Sequence, residues 1–283
     1  DREYRYLSGT PNLHQPIIVN HVLDWIRRKT QKVALVVMDG MSYADFHVML
    51  QHMADSDLSI ESTGIFGLVP SITSISRQAL FAGKMPNDLS SPFSLQNEEK
   101  QWRTYWKEHG LNDHEVFFGK TENPDLPDYT KAAGIVINIV DDLMHNQLQN
   151  SRGMYTDIVT WMGTGALKFL LERLKSQGFS VFVTADHGNT LAVGEGRFIK
   201  PSLITENGSR RAVIYQNFTD ATELDKFTTI EYTGTYLPKG YRYYVFPPHC
   251  CYGDVGFTYV AHGGMTIEEV VVPFAWIGED DLG

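Results

Sequence analysis

Ser180–Thr190 reads SVFVTADHGNT, a β-branched and aromatic run that stops abruptly at Asp186-His187-Gly188. In open α/β sheets ligands gather at the carboxyl ends of parallel strands, where an Asp and a His can point at one bound ion. Taken alone, the triplet is equally an ordinary strand-end turn.

Three other runs end the same way. Val33–Met38 (VALVVM) stops at Asp39-Gly40, Gly134–Val140 (GIVINIV) stops at Asp141, and Phe257–Val260 leads into Ala261-His262-Gly263-Gly264. His145 follows Asp141 by one helical turn, so the two can share a cation or stand as a solvated helix-face pair. Asp-Gly and His-Gly-Gly are each common turns in isolation. The order of all four together points to metal chemistry, and the mixture of carboxylates and imidazoles suits zinc, manganese or a similar divalent ion. With Thr73, the metal-capable set is Asp39, Thr73, Asp141, His145, Asp186, His187 and His262, a pattern that suggests a two-metal phosphoryl-transfer site.

Thr73 lies in Val69–Gly83 (VPSITSISRQALFAG), where Pro70 and Ser71 lead into a helix expected over Ser74–Phe81. A hydroxyl there sits near free backbone N–H groups that stabilise a phosphate, so Thr73 is either a nucleophile or simply a helix cap. Arg77, one turn on, is either a guanidinium for a non-bridging phosphate oxygen or a solvated helix charge.

The remaining sequence frames that site. At 283 residues and 42% hydrophobic, the chain is long enough for one large α/β core, read as a single domain. Its 24 basic and 34 acidic residues give a net charge of −10, which disfavours a bulk electrostatic nucleic-acid binder without excluding a nuclease. There is no apolar run of membrane-spanning length and no signal peptide, so a cytoplasmic location without a membrane is expected. The start at Asp1 suggests a fragment of a longer protein, and the adjacent Cys250 and Cys251 are expected to be reduced.

Further elements are expected as a leading helix over Asn20–Lys29, a helix to about Ala54, and a helix near Asn97–His109 in a polar rim spanning Asp88–Tyr129. One long crossover helix is expected over Met154–Gln177. Leu191–Val260 is too long for a plain loop and should hold structure of its own. Its tyrosines (Tyr232, Tyr236, Tyr241, Tyr243, Tyr244, Tyr252 and Tyr259) form either a base-stacking surface or half-buried hairpins. Arg210 and Arg211 either line the site entrance or protect a strand edge.

Over nearly its whole length the chain resembles the alkaline phosphatase superfamily. It is most similar to PglZ domains in Val36–Phe46 (VVMDGMSYADF), Pro70–Pro86 (PSITSISRQALFAGKMP), Thr184–Thr190 (TADHGNT) and His262–Ala275 (HGGMTIEEVVVPFA). PSIT resembles the nucleophile motif of the phosphodiesterase branch, although Ser76 stands where the nucleotide pyrophosphatase branch places an Asn. No segment resembles the nucleophile motif of cofactor-independent phosphoglycerate mutases.

The resemblance implies an α/β fold, with a mostly parallel central sheet flanked by helices and a cap inserted at about 191–260. It implies one metal held by Asp39, Thr73, Asp186 and His187, with Thr73 also the nucleophile. A second metal would be held by Asp141, His145 and His262. Two divalent ions are implied, zinc first, with manganese or magnesium as alternatives.

PglZ domains occur in bacterial phage-exclusion systems of the BREX and phage growth limitation types. The expected activity is therefore cleavage of nucleotide or nucleic-acid phosphodiesters, with other defence-system proteins as partners. Two alternatives stay open, a non-catalytic metal-holding scaffold or sensor and a phosphomonoesterase.

Overall fold

The computed structural model describes residues 15–146, 150–197, 209–217 and 221–278; the side chains of residues 145, 146, 150–152 and 223 fall outside that description. The main sheet is built from β1 (Val33–Met38), β2 (Ile60–Phe66), β3 (Val116–Gly119), β4 (Ala132–Ile137), β5 (Ser180–Thr184) and β12 (Val271–Ile277). Their order is β2-β12-β5-β1-β4-β3. Leu35 on β1 pairs in parallel with Gly134 on β4 and Phe182 on β5, and β3 continues the parallel set beside β4. β12 runs antiparallel to both β5 and β2. This is the mostly parallel α/β sheet expected. Every residue of β1 and β4 is buried, as strands are when helices cover both sheet faces.

Helices α1 (Val22–Lys29), α2 (Tyr43–His52), α3 (Thr73–Ala82), α4 (Glu98–Glu108), α5 (Ile139–Asn146), α6 (Asn150–Met162) and α7 (Ala166–Ser176) flank the sheet. The period of α1 buries Val22, Leu23, Trp25 and Ile26, and Trp25 meets Phe274 of β12 edge-on at 5.4 Å. α2 begins at a capping box, in which Ser42 and Asp45 satisfy each other's backbone N–H groups. α3 is buried at all ten positions, against α1 on one side and α4 on the other.

Three expectations change. α4 is no rim, because it buries Trp102, Tyr105 and Trp106, and Trp102 Nε1 donates to Phe117 O at 2.8 Å. The expected strand over Gly134–Val140 ends at Ile137, and Asp141 sits in the first turn of α5. The expected helix over Met154–Gln177 is two, α6 and α7, broken at Gly163-Thr164-Gly165, where two poor helix formers lie close together.

The 191–260 region does hold its own structure. β6 (Thr190–Gly194), β10 (Cys250–Cys251) and β11 (Thr258–Ala261) form one small sheet. A second contains β7 (Ala212–Gln216), β8 (Ile230–Tyr232) and β9 (Tyr241–Val245). β11 thus delivers His262 from outside the main sheet. Tyr232, Tyr236, Tyr241 and Tyr243 pack against the main core, as in the half-buried hairpin reading. Both cysteines are free thiols, Cys251 fully buried. Among the described residues no helix is long and apolar enough to cross a membrane.

Candidate metal centre

Asp39 extends β1 by one ladder bond, its N–H donating to Ile137 O at 2.9 Å, before Gly40 turns the chain with φ +72°. That left-handed φ is what favours glycine at the turn, since a Cβ there would displace only the flexible end of Met144, 2.5 Å away. Asp186 and His187 follow β5 on the neighbouring strand. A Cβ on Gly188 would lie 2.0 Å from the Glu268 carbonyl oxygen, so glycine is required here for close backbone approach.

Each carboxylate is anchored by one oxygen and leaves the other to the centre. Asp186 Oδ1 accepts from the N–H groups of Gly40 and His187, at 3.2 and 3.0 Å. Asp39 Oδ2 accepts from Arg77 Nη1 at 2.5 Å. Asp39 Oδ1 and Asp186 Oδ2 are buried without a hydrogen-bond partner among the described residues, a costly state for acceptors removed from water.

The imidazoles are oriented in the same way. His187 Nδ1 donates to Gly188 O at 2.9 Å, and His262 Nδ1 donates to Ser71 O at 2.8 Å. Because a carbonyl only accepts, Nδ1 carries the proton in both rings and Nε2 faces the centre, the arrangement that outer-shell carbonyls impose on metal-binding histidines.

His187 Nε2 lies 3.9 Å from Asp39 Oδ1, 3.8 Å from Asp186 Oδ2 and 2.9 Å from Thr73 Oγ1. Ligands around a tetrahedral zinc ion stand roughly 3.3 Å apart, given bonds of about 2.0 Å. The donor set therefore fits a divalent cation, through two orphaned carboxylate oxygens, one imidazole nitrogen and one hydroxyl. One ligand atom from each of Asp39, Asp186 and His187 lies within 4.8 Å of the others.

Thr73 is the first residue of α3, and its N-cap, Ile72, offers no side-chain cap, so Thr73 Oγ1 is committed to His187 rather than to capping. The second expected group is partly in view. His262 Nε2 lies 3.9 Å from Asp141 Oδ1, and the rings of His262 and His187 stack at 4.1 Å, which places the two groups side by side. The side chain of His145 lies outside the described residues.

Charge in the centre is unbalanced. Burial, then the neighbouring Asp186, raises the Asp39 carboxyl well above the usual carboxylate range. Burial raises Asp186 to about 6, against the opposing pull of Arg77 and the Gly40 N–H. Both shifts arise from acids enclosed without a sufficient counter-charge, the condition a bound cation relieves. Arg77 itself is 2% exposed, which removes the solvated-helix reading; its Nε donates to Glu98 at 2.7 Å and its Nη1 to Asp39.

The family model of the BREX system PglZ alkaline phosphatase-like domain matches residues 17–276 of this chain. The chain belongs to the PglZ family. No protein of curated function matches it.

Among solved structures, the PglZ chain is similar to murine ectonucleotide pyrophosphatase/phosphodiesterase 5, with a TM-score of 0.57 at 13% identity over 87% of this chain and 88% of that one. An inactive threonine-to-alanine variant of the murine protein in complex with AMP matches equally, at 0.57 and 13%, over the same 87% and 88%. Phosphonoacetate hydrolase from Sinorhizobium meliloti 1021, in complex with phosphonoformate, matches at 0.52 and 11% identity over 87% and 89%. At these identities the likeness is one of fold.

Beyond the seven expected residues, the PglZ centre rests on Glu98, Ser71, Arg211 and Glu269. Glu269 is fully buried and accepts from Gly264 N at 2.7 Å, Arg211 Nε at 2.9 Å and Thr266 Oγ1 at 2.8 Å. Ser71 Oγ accepts from Gly263 N at 2.9 Å, tying the loop after His262 to the segment before Thr73. Arg211 therefore neither lines an entrance nor protects an edge; it is a fully buried partner of Glu269. Thr266-x-x-Glu269 is a legible capping-box pattern and signals part of this network; nothing local signals Glu98.

Proposed function

We propose that this PglZ chain is a metal-dependent phosphodiesterase acting on nucleotide or nucleic-acid phosphodiesters in bacterial phage defence, with Thr73 as nucleophile. The observation that carries the reading is the convergence of Thr73 Oγ1, His187 Nε2 and the partnerless oxygens of Asp39 and Asp186 on one buried point. A helix cap or a solvated acid pair would not be arranged so. Asp141, His262 and the expected His145 would hold the second of two divalent ions, zinc first with manganese or magnesium as alternatives.

Bound there, divalent cations supply the positive charge that makes a threonine hydroxyl nucleophilic at neutral pH and offsets charge on the phosphoryl group. The chain's own groups provide the alignment. Thr73 Oγ1 stands at the N-terminus of α3, where backbone N–H groups and the helix dipole favour phosphoryl oxygens. Its attack on phosphorus forms the Thr73–phosphate ester bond as the bond to the leaving alkoxide breaks. Water then cleaves the ester and restores the hydroxyl. The AMP-bound murine structure supports a nucleotide-type substrate, and the BREX family name supports the defence setting.

The test is hydrolysis of bis-p-nitrophenyl phosphate and p-nitrophenyl phosphate by metal-stripped protein titrated with zinc, manganese or magnesium. Diester turnover that exceeds monoester turnover and disappears in Thr73→Ala is expected. Preferred monoester turnover would instead make the chain a phosphomonoesterase, and metal binding without turnover would make it a scaffold.

A further inference from the structure

Arg77, Glu98 and Lys120 form a line of alternating charge that starts at the metal centre and ends at the surface. Arg77 Nη1 meets Asp39 Oδ2 at 2.5 Å, Arg77 Nε meets Glu98 Oε1 at 2.7 Å, and Lys120 Nζ meets Glu98 Oε2 at 3.0 Å. The inner members are enclosed, with Arg77 2% and Glu98 1% exposed, whereas the Lys120 side chain is 43% exposed.

An arginine one turn after Thr73 invites the role of phosphate clamp. The geometry points elsewhere, because two of its nitrogens are directed at carboxylates inside the protein. A planar guanidinium bridges two carboxylates in this way with its donors held in a fixed fork, a geometry that the rotatable donors of an ammonium do not fix. The bridge also decides that Asp39 offers only Oδ1 to the centre.

We infer that Arg77 is a resident counter-cation that competes with the metal for Asp39, holding the empty centre assembled while it lowers metal affinity. This rests on the metal-centre reading above. With no cation bound, Asp39 and Asp186 would otherwise face each other, buried and uncompensated, a state that destabilises a fold or expels one of the groups. Arg77 offsets part of the acid charge at the centre and Glu98 in turn draws on Arg77, so the cluster stays assembled without metal but keeps a net negative charge. When a divalent ion arrives, the same guanidinium repels it across a short, poorly screened distance. The centre therefore loads and empties without unfolding. Glu98 sets the balance, because the more firmly it neutralises Arg77, the less Arg77 opposes the metal.

Two variants of the full chain should move zinc affinity in opposite directions. Arg77→Met/Glu98→Gln removes the buried pair together, leaves Asp39 without its guanidinium, and should tighten zinc about ten- to a hundredfold. It should also widen the gap in Tm between zinc-loaded and EDTA-stripped protein, since the stripped form loses its counter-ion. Glu98→Gln alone keeps an acceptor for Arg77 Nε but strips the guanidinium of its balancing charge, and should weaken zinc about three- to tenfold.

Zinc affinity would be read by competition with a chelating dye and Tm by thermal unfolding, so neither readout depends on turnover. Shifts of both variants in one direction, or affinities within twofold of the unmodified chain, overturn the inference. Should the double variant fail to fold even with zinc, Glu98→Gln decides, and unchanged or tighter binding refutes it. Absence of zinc binding by the unmodified chain would instead remove the metal reading itself, and this inference with it.

Discussion

Replacing Glu269 with Gln tests whether the loop behind His262 is held by charge. Glu269 and Arg211 are both fully buried, with Nε to Oε1 at 2.9 Å, and the other Glu269 oxygen accepts from Thr266 N and Oγ1 at 3.0 and 2.8 Å. Arg211 also donates to the carbonyls of Pro247 and Cys250, at 3.1 and 2.6 Å, so it cannot swing to water without dismantling the turn before β10. Glu269→Gln keeps the shape of the acid and deletes its charge, leaving a guanidinium uncompensated in the interior. Breaking a buried pair from one side in this way costs about 3–5 kcal/mol. For a domain of this size, each kcal/mol lowers Tm by about 2–4 °C, so the fall should be about 6–20 °C by differential scanning calorimetry of the metal-free protein. Arg211→Met/Glu269→Leu, which removes both charges and fills the space, should recover most of that loss. A Tm for Glu269→Gln within about 3 °C of the unmodified chain would falsify the assignment of this pair as the anchor of the loop.

Gly188→Ala should unfold or shift the Asp186-His187 turn, because the new methyl would stand 2.0 Å from a main-chain oxygen that cannot rotate away. A loss of about 1–3 kcal/mol or more in urea unfolding, together with lost zinc binding, is expected, and unchanged binding would contradict the close approach. The metal-free protein should also lose stability as pH rises. The folded Asp186 carboxyl titrates near 6 instead of at its ordinary 3.8, so the folded state binds its proton more tightly than the unfolded chain, and that advantage is lost as pH climbs from about 4 through about 6. Asp186→Asn removes that titrating group, and its stability relative to the unmodified chain should improve by up to about 3 kcal/mol across that range. Parallel pH profiles of Tm for the two proteins would contradict the shift.

The contrast between what was legible and what was not follows from how each interaction is encoded. Asp39, Asp186 and His187 were readable because a buried strand is a run of apolar residues, and a polar group at its abrupt end must lie at the sheet's carboxyl rim. Asp141 was readable as a candidate residue although its context was not; Asn138 interrupts the run, but Ile139 and Val140 suit a strand and the buried side of a helix equally. The single-helix expectation for 154–177 failed at Gly163 and Gly165 because apolar periodicity continues across the break. Charged residues are the hardest case. Arg77 finds Glu98 at a separation of 21 residues, and Arg211 finds Glu269 at 58, distances at which no periodicity links the partners. A lysine or arginine on a helix or strand is usually solvated, so composition argues against burial until the partner is seen. Yet these pairs act on the atoms that matter. Arg77 selects which oxygen of Asp39 remains available, and Ser71 and Glu269 hold the loop from which His262 presents Nε2. A candidate set of metal-capable residues can be read from sequence because it depends on residue type at strand ends. The atom that each candidate residue turns toward the centre is fixed by groups distant in sequence, and so becomes visible only when the chain is folded.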